Sequence, residues 1–253
     1  IFGKDVGEIF GEFEGKEFDQ KDDFDGDVKY HLGYSQQVKM ENNGEAHLTL
    51  APNPSHLEAV APVVQGIARA KLDLYLKNDE SKIIPVIIHG DAAVAGQGIA
   101  YEVVQMAQLD GYRAGGTIHV VVNNQVGFTT NYLDARSSTY CTDVAKTTLC
   151  PVFHVNGDDV EAMIQTMEIA LEYRQKFKRD VFIDLLCYRK YGHNEGDEPK
   201  FTQPKLYKAI QKHPNQRDIY LKQLISEGVL TADNGKKMEL ELNNKLQASF
   251  DES

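Results

Sequence analysis

Two short apolar segments, each ending in an oxygen-bearing side chain, constrain the fold of this chain more than any other feature. The first runs Ile87-Ile-His-Gly-Asp91 and passes at once into a helix-like stretch, and the second runs Val120-Val-Val-Asn-Asn124. Apolar runs that alternate with helical patterns are typical of parallel strands, and ligands of such sheets bind beyond the carboxyl ends of the strands. If the two segments form neighbouring strands, Asp91 and Asn124 are delivered to one crevice.

The residue types in this crevice indicate a metal-bound anion. A carboxylate and an amide oxygen are hard ligands suited to Mg²⁺, which often shares its coordination shell with phosphate. Gly96 and Gly98 follow directly and allow backbone to approach an anion at the start of the helix. The pattern therefore predicts a magnesium-bound diphosphate. The plainer alternative is that Asp91 caps a helix and Asn123-Asn124 forms a turn.

Strand and helix patterns alternate through the middle of the chain, which predicts an α/β fold with a mostly parallel sheet and helices on both faces. Phe128–Cys150 has no clear periodicity and is predicted to be a loop folded over the site. The predicted strands are Val86–His89, Thr117–Val122 and Asp180–Tyr188, and the predicted helices between them are Ala95–Leu109 and Asp158–Phe177.

The two ends of the chain differ from this middle part. Residues 1–27 are acidic and predict a short helix around Val6–Phe13 and then a mobile connector. Glu45–Leu50 alternates weakly, as an edge strand or a loop does, and Pro54 predicts the opening of a helix that runs toward Leu76. Helical patterns follow Pro204. We therefore divide the chain into an acidic connector (1–27), an α/β domain that binds the diphosphate and metal (28–203) and a helical extension of that domain (204–253).

Composition limits the classes of partner. The net charge of −11 argues against a broad nucleic-acid-binding face, and no apolar run approaches the length of a membrane-spanning helix. We therefore expect neither nucleic acid nor a membrane as a partner. Cys141, Cys150 and Cys187 are odd in number and lack metal-type spacing, which predicts reduced, mostly buried thiols. Because Ile1 is not a natural translation start, we expect a piece of a longer polypeptide.

Five motifs carry a family resemblance. Gly90-Asp91 followed by Asn124, which lies 33 positions after Asp91, resembles the diphosphate-binding motif of thiamine-diphosphate enzymes. The usual third residue of that motif is Gly, and Ala92 in its place resembles the 2-oxoglutarate dehydrogenase subfamily. The resemblance covers nearly the whole chain. The other motifs are Gly26-Asp-Val-Lys-Tyr-His-Leu-Gly33, Asn53-Pro-Ser-His-Leu-Glu58, Gln125-Val-Gly-Phe-Thr-Thr130 and Tyr191-Gly-His-Asn-Glu195.

This resemblance implies a role for each matching residue at the diphosphate. Asp91, Asn124 and the backbone oxygen of Val126 are implied as ligands of the Mg²⁺ that bridges the two phosphates of thiamine diphosphate. Ala92 and Ala93 are implied to line the same pocket.

Further residues are implied at the reacting end of the cofactor. Ser55, His56 and Leu57 line the pocket around the thiazolium ring and substrate, and His31 and His193 help to bind the oxo acid. Each has a plainer alternative: Ser55 as a helix cap with His56 exposed in the first turn, His31 as a histidine without a role, and His193 as a loop histidine in a solvated charge cluster. Glu195, Asp197 and Glu198 are close enough in sequence to hold His193 cationic. Arg136 is expected in a solvated loop, although an arginine there can also steady an anion.

The implied activity is that of the first component of the 2-oxoglutarate dehydrogenase complex. In that family 2-oxoglutarate is decarboxylated on thiamine diphosphate, and the succinyl group passes to a lipoyl-bearing succinyltransferase that works with dihydrolipoyl dehydrogenase. The full-length enzymes are homodimers, in the cytoplasm of bacteria or the mitochondrial matrix of eukaryotes. Another thiamine-dependent 2-oxo acid decarboxylase, a transketolase-like enzyme, or a non-catalytic Mg²⁺-nucleotide-binding or scaffold domain remain open.

Overall fold

The computed structural model describes residues 4–14, 31–40 and 44–252. Most of the predicted acidic connector and the beginning of the Gly26–Gly33 motif lie outside these ranges. The elements, in chain order, are α1 (Val6–Glu14), β1 (Tyr34–Lys39), β2 (Glu45–Leu50), α2 (Val60–Leu74), β3 (Val86–Gly90), α3 (Asp91–Gly96), α4 (Gly98–Met106), β4 (Ile118–Asn123), β5 (Val126–Gly127), β6 (Thr130–Asn131), α5 (Tyr132–Ala135), β7 (Val152–Asn156), α6 (Val160–Phe177), β8 (Val181–Leu186), α7 (Pro204–Ile210), α8 (Gln216–Ser226) and α9 (Ala232–Glu252), with 3₁₀ helices at Glu80–Lys82 and Cys141–Thr148.

The chain divides into two compact units, one formed by Ile1–Ser55 with Leu221–Ser253 and the other by His56–Tyr220. The divisions predicted after residues 27 and 203 fall at other positions than the boundaries of these units, and they stay predictions. In the first unit, β1 and β2 form an antiparallel pair from Tyr34 opposite Leu50 to Lys39 opposite Glu45. The predicted helix around Val6–Phe13 and the strand reading of Glu45–Leu50 are confirmed.

The second unit is built on a parallel sheet with the strand order β3-β4-β8-β7. The predicted fold class, α/β with a mostly parallel sheet and helices on both faces, is confirmed. Val121 and Phe182 on one face pack under residues of α3, α4 and the second 3₁₀ helix. Ile118 and Ile183 on the other face pack under α6. Because β3 and β4 are neighbours, with Gly90 opposite Val122, the ends that carry Asp91 and Asn124 lie side by side.

Several helices and one segment predicted as a loop differ from the predictions. The helix predicted at Ala95–Leu109 begins at Asp91 and is interrupted at Gln97, whose backbone is extended (φ −90°, ψ 119°). The helix predicted from Pro54 begins at Val60, and residues before it form turns. Phe128–Cys150 is more ordered than the predicted loop, since it contains β5's partner β6, α5 and the second 3₁₀ helix. In the described part of the chain, no helix has both the length and the apolar character needed to span a membrane.

Candidate functional site

The Asp91 carboxylate lies at the carboxyl end of β3, where it begins α3. It is only 2% exposed. Burial raises the pKa of Asp91 above its ordinary value of 3.8, although the Arg136 guanidinium and the backbone N–H groups of Asp91, Ala92 and Asn124 act in the opposite direction. A carboxylate with so little exposure is suited to a cation, because a cation offsets the cost of burying its ionised form.

The loop after β4 lies directly against this carboxylate. The Asn124 side-chain oxygen accepts a hydrogen bond from the Val126 N–H at 3.2 Å, so the turn foreseen by the plainer alternative is present. The same loop brings the Asn124 backbone N–H to the Asp91 carboxylate. A carboxamide oxygen has two lone pairs, so the turn leaves one of them for a ligand. The turn and a metal-binding role for Asn124 are therefore compatible.

A glycine allows the close approach between this loop and α3. A Cβ built on Gly127 would lie 2.5 Å from the Ala92 Cβ, well inside van der Waals contact. Ala92, Ala93, Asn124 and Val126 thus belong to two segments that pack on one another at the end of the sheet. By contrast, a Cβ on Gly96 or Gly98 would meet no atom within 4 Å, so their backbone borders open space.

Arg136 lies beside the Asp91 carboxylate, and its burial corrects the expectation of a solvated position. Its side chain is only 9% exposed, and Nη1 lies 3.6 Å from the Asp91 Oδ2. Within the described ranges, neither Nη1 nor Nε has a hydrogen-bond acceptor. The guanidinium is 5.5 Å from the centre of the Tyr132 ring. Sequence reasoning favoured a solvated position for this residue because a lone arginine in an aperiodic segment carries no burial signal.

A row of buried polar side chains crosses the sheet next to the site. Glu58 Oε2 lies 2.6 Å from His89 Nδ1, and His89 Nε2 lies 2.9 Å from His119 Nδ1. His119 Nε2 in turn lies 3.5 Å from the Asp180 Oδ2. Burial lowers the pKa of His119, despite the opposing effect of Asp180. Glu58 has φ +66°, a left-handed backbone that its buried bond to His89 helps to hold.

A second buried acid, Asp184 on β8, holds three side chains at the same end of the sheet. It accepts a hydrogen bond from Asn123 Nδ2 at 3.0 Å and lies 2.8 Å from His154 Nδ1. The Cys141 thiol is 3.8 Å from the same carboxylate. Burial, and then the charge of Asp184, raise the pKa of Cys141 to about 12. All three cysteines are free, as predicted, with Cys141 buried and the other two half-buried.

The residues predicted at the reacting end are distributed over both units. Ser55 and the half-buried His31 belong to the first unit, and His56 and Leu57 belong to the second. His56 and Leu57 lie in an exposed turn before α2, with Leu57 64% exposed. Since α2 begins at Val60 after Ala59, which provides no side-chain cap, Ser55 is not the cap of this helix.

His193 lies in the loop that follows β8, at the predicted end of the sheet. Its ring meets the Phe128 ring edge-on, with 4.8 Å between centroids. The Asp197 carboxylate accepts a hydrogen bond from the backbone N–H of His193, rather than from its ring, at 2.8 Å. His193 also lines a cavity of about 1040 Å³ that Tyr191, Tyr207 and His213 border.

The described residues contain no group of three or more His, Cys, Asp or Glu side chains placed to hold a metal ion. One carboxylate, one carboxamide and one backbone oxygen, the set predicted for Mg²⁺, would form an incomplete protein shell. Mg²⁺ sites of that kind are usually completed by water and phosphate oxygens.

Comparison with known proteins places this chain in a family. The family model described as "Dehydrogenase E1 component" matches residues 1–253. The 2-oxoglutarate dehydrogenase E1 component of Azotobacter vinelandii is 53% identical over 232 residues, which are 91% of this chain and 24% of that protein. The mitochondrial 2-oxoglutarate dehydrogenase of Dictyostelium discoideum is 49% identical over 253 residues, 99% of this chain and 25% of that protein. The corresponding Brucella ovis E1 component is 46% identical over 261 residues and 26% of its length is covered. The chain thus spans about a quarter of the length of these relatives, and it belongs to the dehydrogenase E1 component family.

Proposed function

We propose that this chain forms the diphosphate- and Mg²⁺-binding part of a thiamine-dependent 2-oxoglutarate dehydrogenase. The observation that carries the proposal is the meeting of the buried Asp91 carboxylate with the Asn124–Val126 loop at the ends of two adjacent parallel strands. Membership of the dehydrogenase E1 component family supports thiamine diphosphate as the cofactor.

The residues present fit a divalent cation bound to a diphosphate. Asp91 supplies one ionised oxygen, Asn124 one carboxamide oxygen and Val126 one backbone oxygen. A buried carboxylate whose pKa is raised by burial gains the most from a dication, because the cation replaces the hydration that burial removed. Ala92 and Ala93 present small side chains to the diphosphate, and the open backbone at Gly96 and Gly98 leaves room for it.

Thiamine diphosphate, when bound, supplies a carbanion and an electron sink for decarboxylation of a 2-oxo acid. The chain's own residues then bind and orient the reactants. We assign Ser55 and Leu57 to the wall around the thiazolium ring, and His31, His56 and His193 to the oxo acid and its carboxylates. An imidazole suits this role because it can both donate and accept hydrogen bonds and because the charge of this side-chain type changes near neutral pH.

The names of the relatives support 2-oxoglutarate as the substrate. We accordingly propose a lipoyl-bearing succinyltransferase and dihydrolipoyl dehydrogenase as partners, and a homodimer for the full-length protein. As the compartment we propose the cytoplasm for a bacterial source and the mitochondrial matrix for a eukaryotic one; the Dictyostelium relative is named as mitochondrial.

Calorimetry on the full-length protein tests the proposal. Thiamine diphosphate and ATP are titrated separately in the presence of Mg²⁺. We expect thiamine diphosphate to bind and Asp91→Asn to weaken binding at least tenfold, the effect of losing about 1.4 kcal/mol of metal coordination. Asp110→Asn, at an exposed aspartate, is the matched control and should bind as the wild type does. A preference for ATP over thiamine diphosphate would refute the proposal. So would equal affinity of Asp91→Asn and Asp110→Asn for thiamine diphosphate.

A further inference from the structure

The guanidinium of Arg136, next to the site, is buried but incompletely hydrogen-bonded. Two of its nitrogens, Nε and Nη1, are buried without an acceptor among the residues that the structure describes. Among the described residues, the Asp91 carboxylate forms an ion pair with it, and at 3.6 Å this contact is not a hydrogen bond. Buried N–H groups in proteins are almost always paired, so the arrangement calls for an acceptor that binds from outside the chain.

The surroundings fix the position of this guanidinium. It follows directly on α5, whose first turn is capped by the Asn131 side chain through a 3.0 Å bond from the Leu133 N–H. The Tyr132 ring lies on one side of it and Asp91 on the other. The long side chain is therefore held at one place, with its unpaired Nη1 beside the carboxylate proposed to bind Mg²⁺.

The chemistry of the missing acceptor follows from the neighbouring charges. A dication on Asp91 would take over the carboxylate that now balances Arg136, and two positive groups would then share one acid. An anion next to the metal removes this conflict. Guanidinium groups bind phosphate and carboxylate oxygens through paired N–H donors, a geometry that a lysine ammonium does not reproduce.

We propose that Arg136 changes its partner when the cofactor binds. Before binding, its guanidinium balances the buried Asp91 carboxylate. Once a divalent cation binds Asp91, the N–H groups at Nε and Nη1 donate to different oxygens of the metal-bound diphosphate. Arg136 is thus a positively charged ligand of the anion and, toward the metal alone, a competitor for Asp91. This inference rests on the proposed function, because the anion is the diphosphate of that site.

The two parts of the proposal predict opposite effects of one substitution. In Arg136→Gln, the affinity of full-length protein for Mg²⁺-thiamine diphosphate should fall about tenfold or more, as expected from the loss of charge-assisted hydrogen bonds. The affinity for Mn²⁺ alone, followed by the paramagnetic signal of the free ion, should stay the same or rise because the competing cation is gone. A purely structural role for Arg136 would weaken both.

Matched variants keep the test decisive if Arg136→Gln folds poorly. Arg136→Lys preserves the charge without the paired donors, and its affinity for the metal-bound cofactor should lie between those of wild type and Arg136→Gln. Arg179→Gln, at an exposed arginine bonded to the Thr148 carbonyl, should match the wild type in both titrations. Unchanged cofactor affinity in Arg136→Gln and Arg136→Lys, or parallel loss of metal and cofactor binding, would overturn the proposal. If the wild type itself binds no thiamine diphosphate, the proposed function fails rather than the assignment of Arg136 alone.

Discussion

At the scale of single residues, burial sets the chemistry of the ionisable groups around the sheet. The same cause acts in opposite directions on different groups: it raises the pKa of Asp91 and of the cysteine thiols, and it lowers the pKa of His119. In each case the charged form is disfavoured. Asp91 is the group for which a cation offers the largest compensation, which is why it is central to the proposed site.

The cysteines should be unreactive in the native protein. Burial raises the pKa of Cys141 to about 12 and that of Cys187 to about 11, and it also raises the pKa of Cys150. At pH 8 the thiolate fraction of Cys141 is then on the order of 1 in 10⁴. We expect iodoacetamide to label Cys141 only after denaturation, as measured by peptide mass spectrometry. Rapid labelling of Cys141 in the folded protein would contradict the described burial.

His119 should make stability depend on pH. Its folded pKa lies below the ordinary 6.5, so its contribution is present above pH 6.5 and is lost as the pH falls toward the folded pKa. The unfolded chain then binds a proton at His119 that the folded chain does not bind. This lowers the free energy of unfolding by up to about 1.4 kcal/mol per pH unit. Thermal midpoints of wild type and His119→Gln should converge between pH 7.5 and 5.5. Parallel curves for the two proteins would argue against a neutral, buried His119.

At the scale of elements, the contact between the Asn124–Gly127 loop and α3 holds the site together. Gly127→Ala places a methyl group 2.5 Å from the Ala92 Cβ, so the loop or the helix must move. We expect destabilisation of about 1–3 kcal/mol and weaker Mg²⁺-thiamine diphosphate binding, measured by thermal unfolding and calorimetry. Gly111→Ala is the control, because a Cβ there meets nothing within 4 Å. Equal effects of the two substitutions would show that the close approach does not matter.

The elements that the sequence predicts well are those with strong apolar periodicity. The strands at Val86, Thr117 and Asp180 and the helix ending at Phe177 were predictable because their buried faces are apolar. β7 was missed because it is an edge strand in which only Val155 is buried and His154 interrupts the apolar run. The break at Gln97 was also missed, since the residues on both sides of it favour a helix.

The candidate site was predictable in part, and the reason is topological. Asp91 and Asn124 follow apolar runs, so their meeting depends only on the adjacency of two parallel strands. The burial of Arg136 and the bonding of Glu58 to His89 depend on tertiary packing. A residue between aperiodic neighbours gives no pattern from which such packing can be inferred.

At the scale of the whole molecule, we expect the chain alone to lack the decarboxylase activity proposed for the full-length protein. It spans about a quarter of the length of its relatives, so most of the polypeptide of those proteins has no counterpart in it. We expect the 253-residue chain, purified alone, to show little or no decarboxylation of 2-oxoglutarate. Release of CO₂ from the labelled substrate measures this, with the full-length protein as the positive control. Appreciable turnover by the chain alone would mean that all groups needed for decarboxylation lie within it.

Locating the metal tests most directly whether Asp91, Asn124 and Val126 bind one Mg²⁺ at the ends of β3 and β4. Crystals of full-length protein grown with Mn²⁺ and thiamine diphosphate are measured at a wavelength where manganese scatters anomalously. We predict one peak within coordination distance, about 2.1 Å, of oxygens from Asp91, Asn124 and Val126, next to the diphosphate. A peak elsewhere, or a diphosphate bound away from these two strand ends, would contradict it.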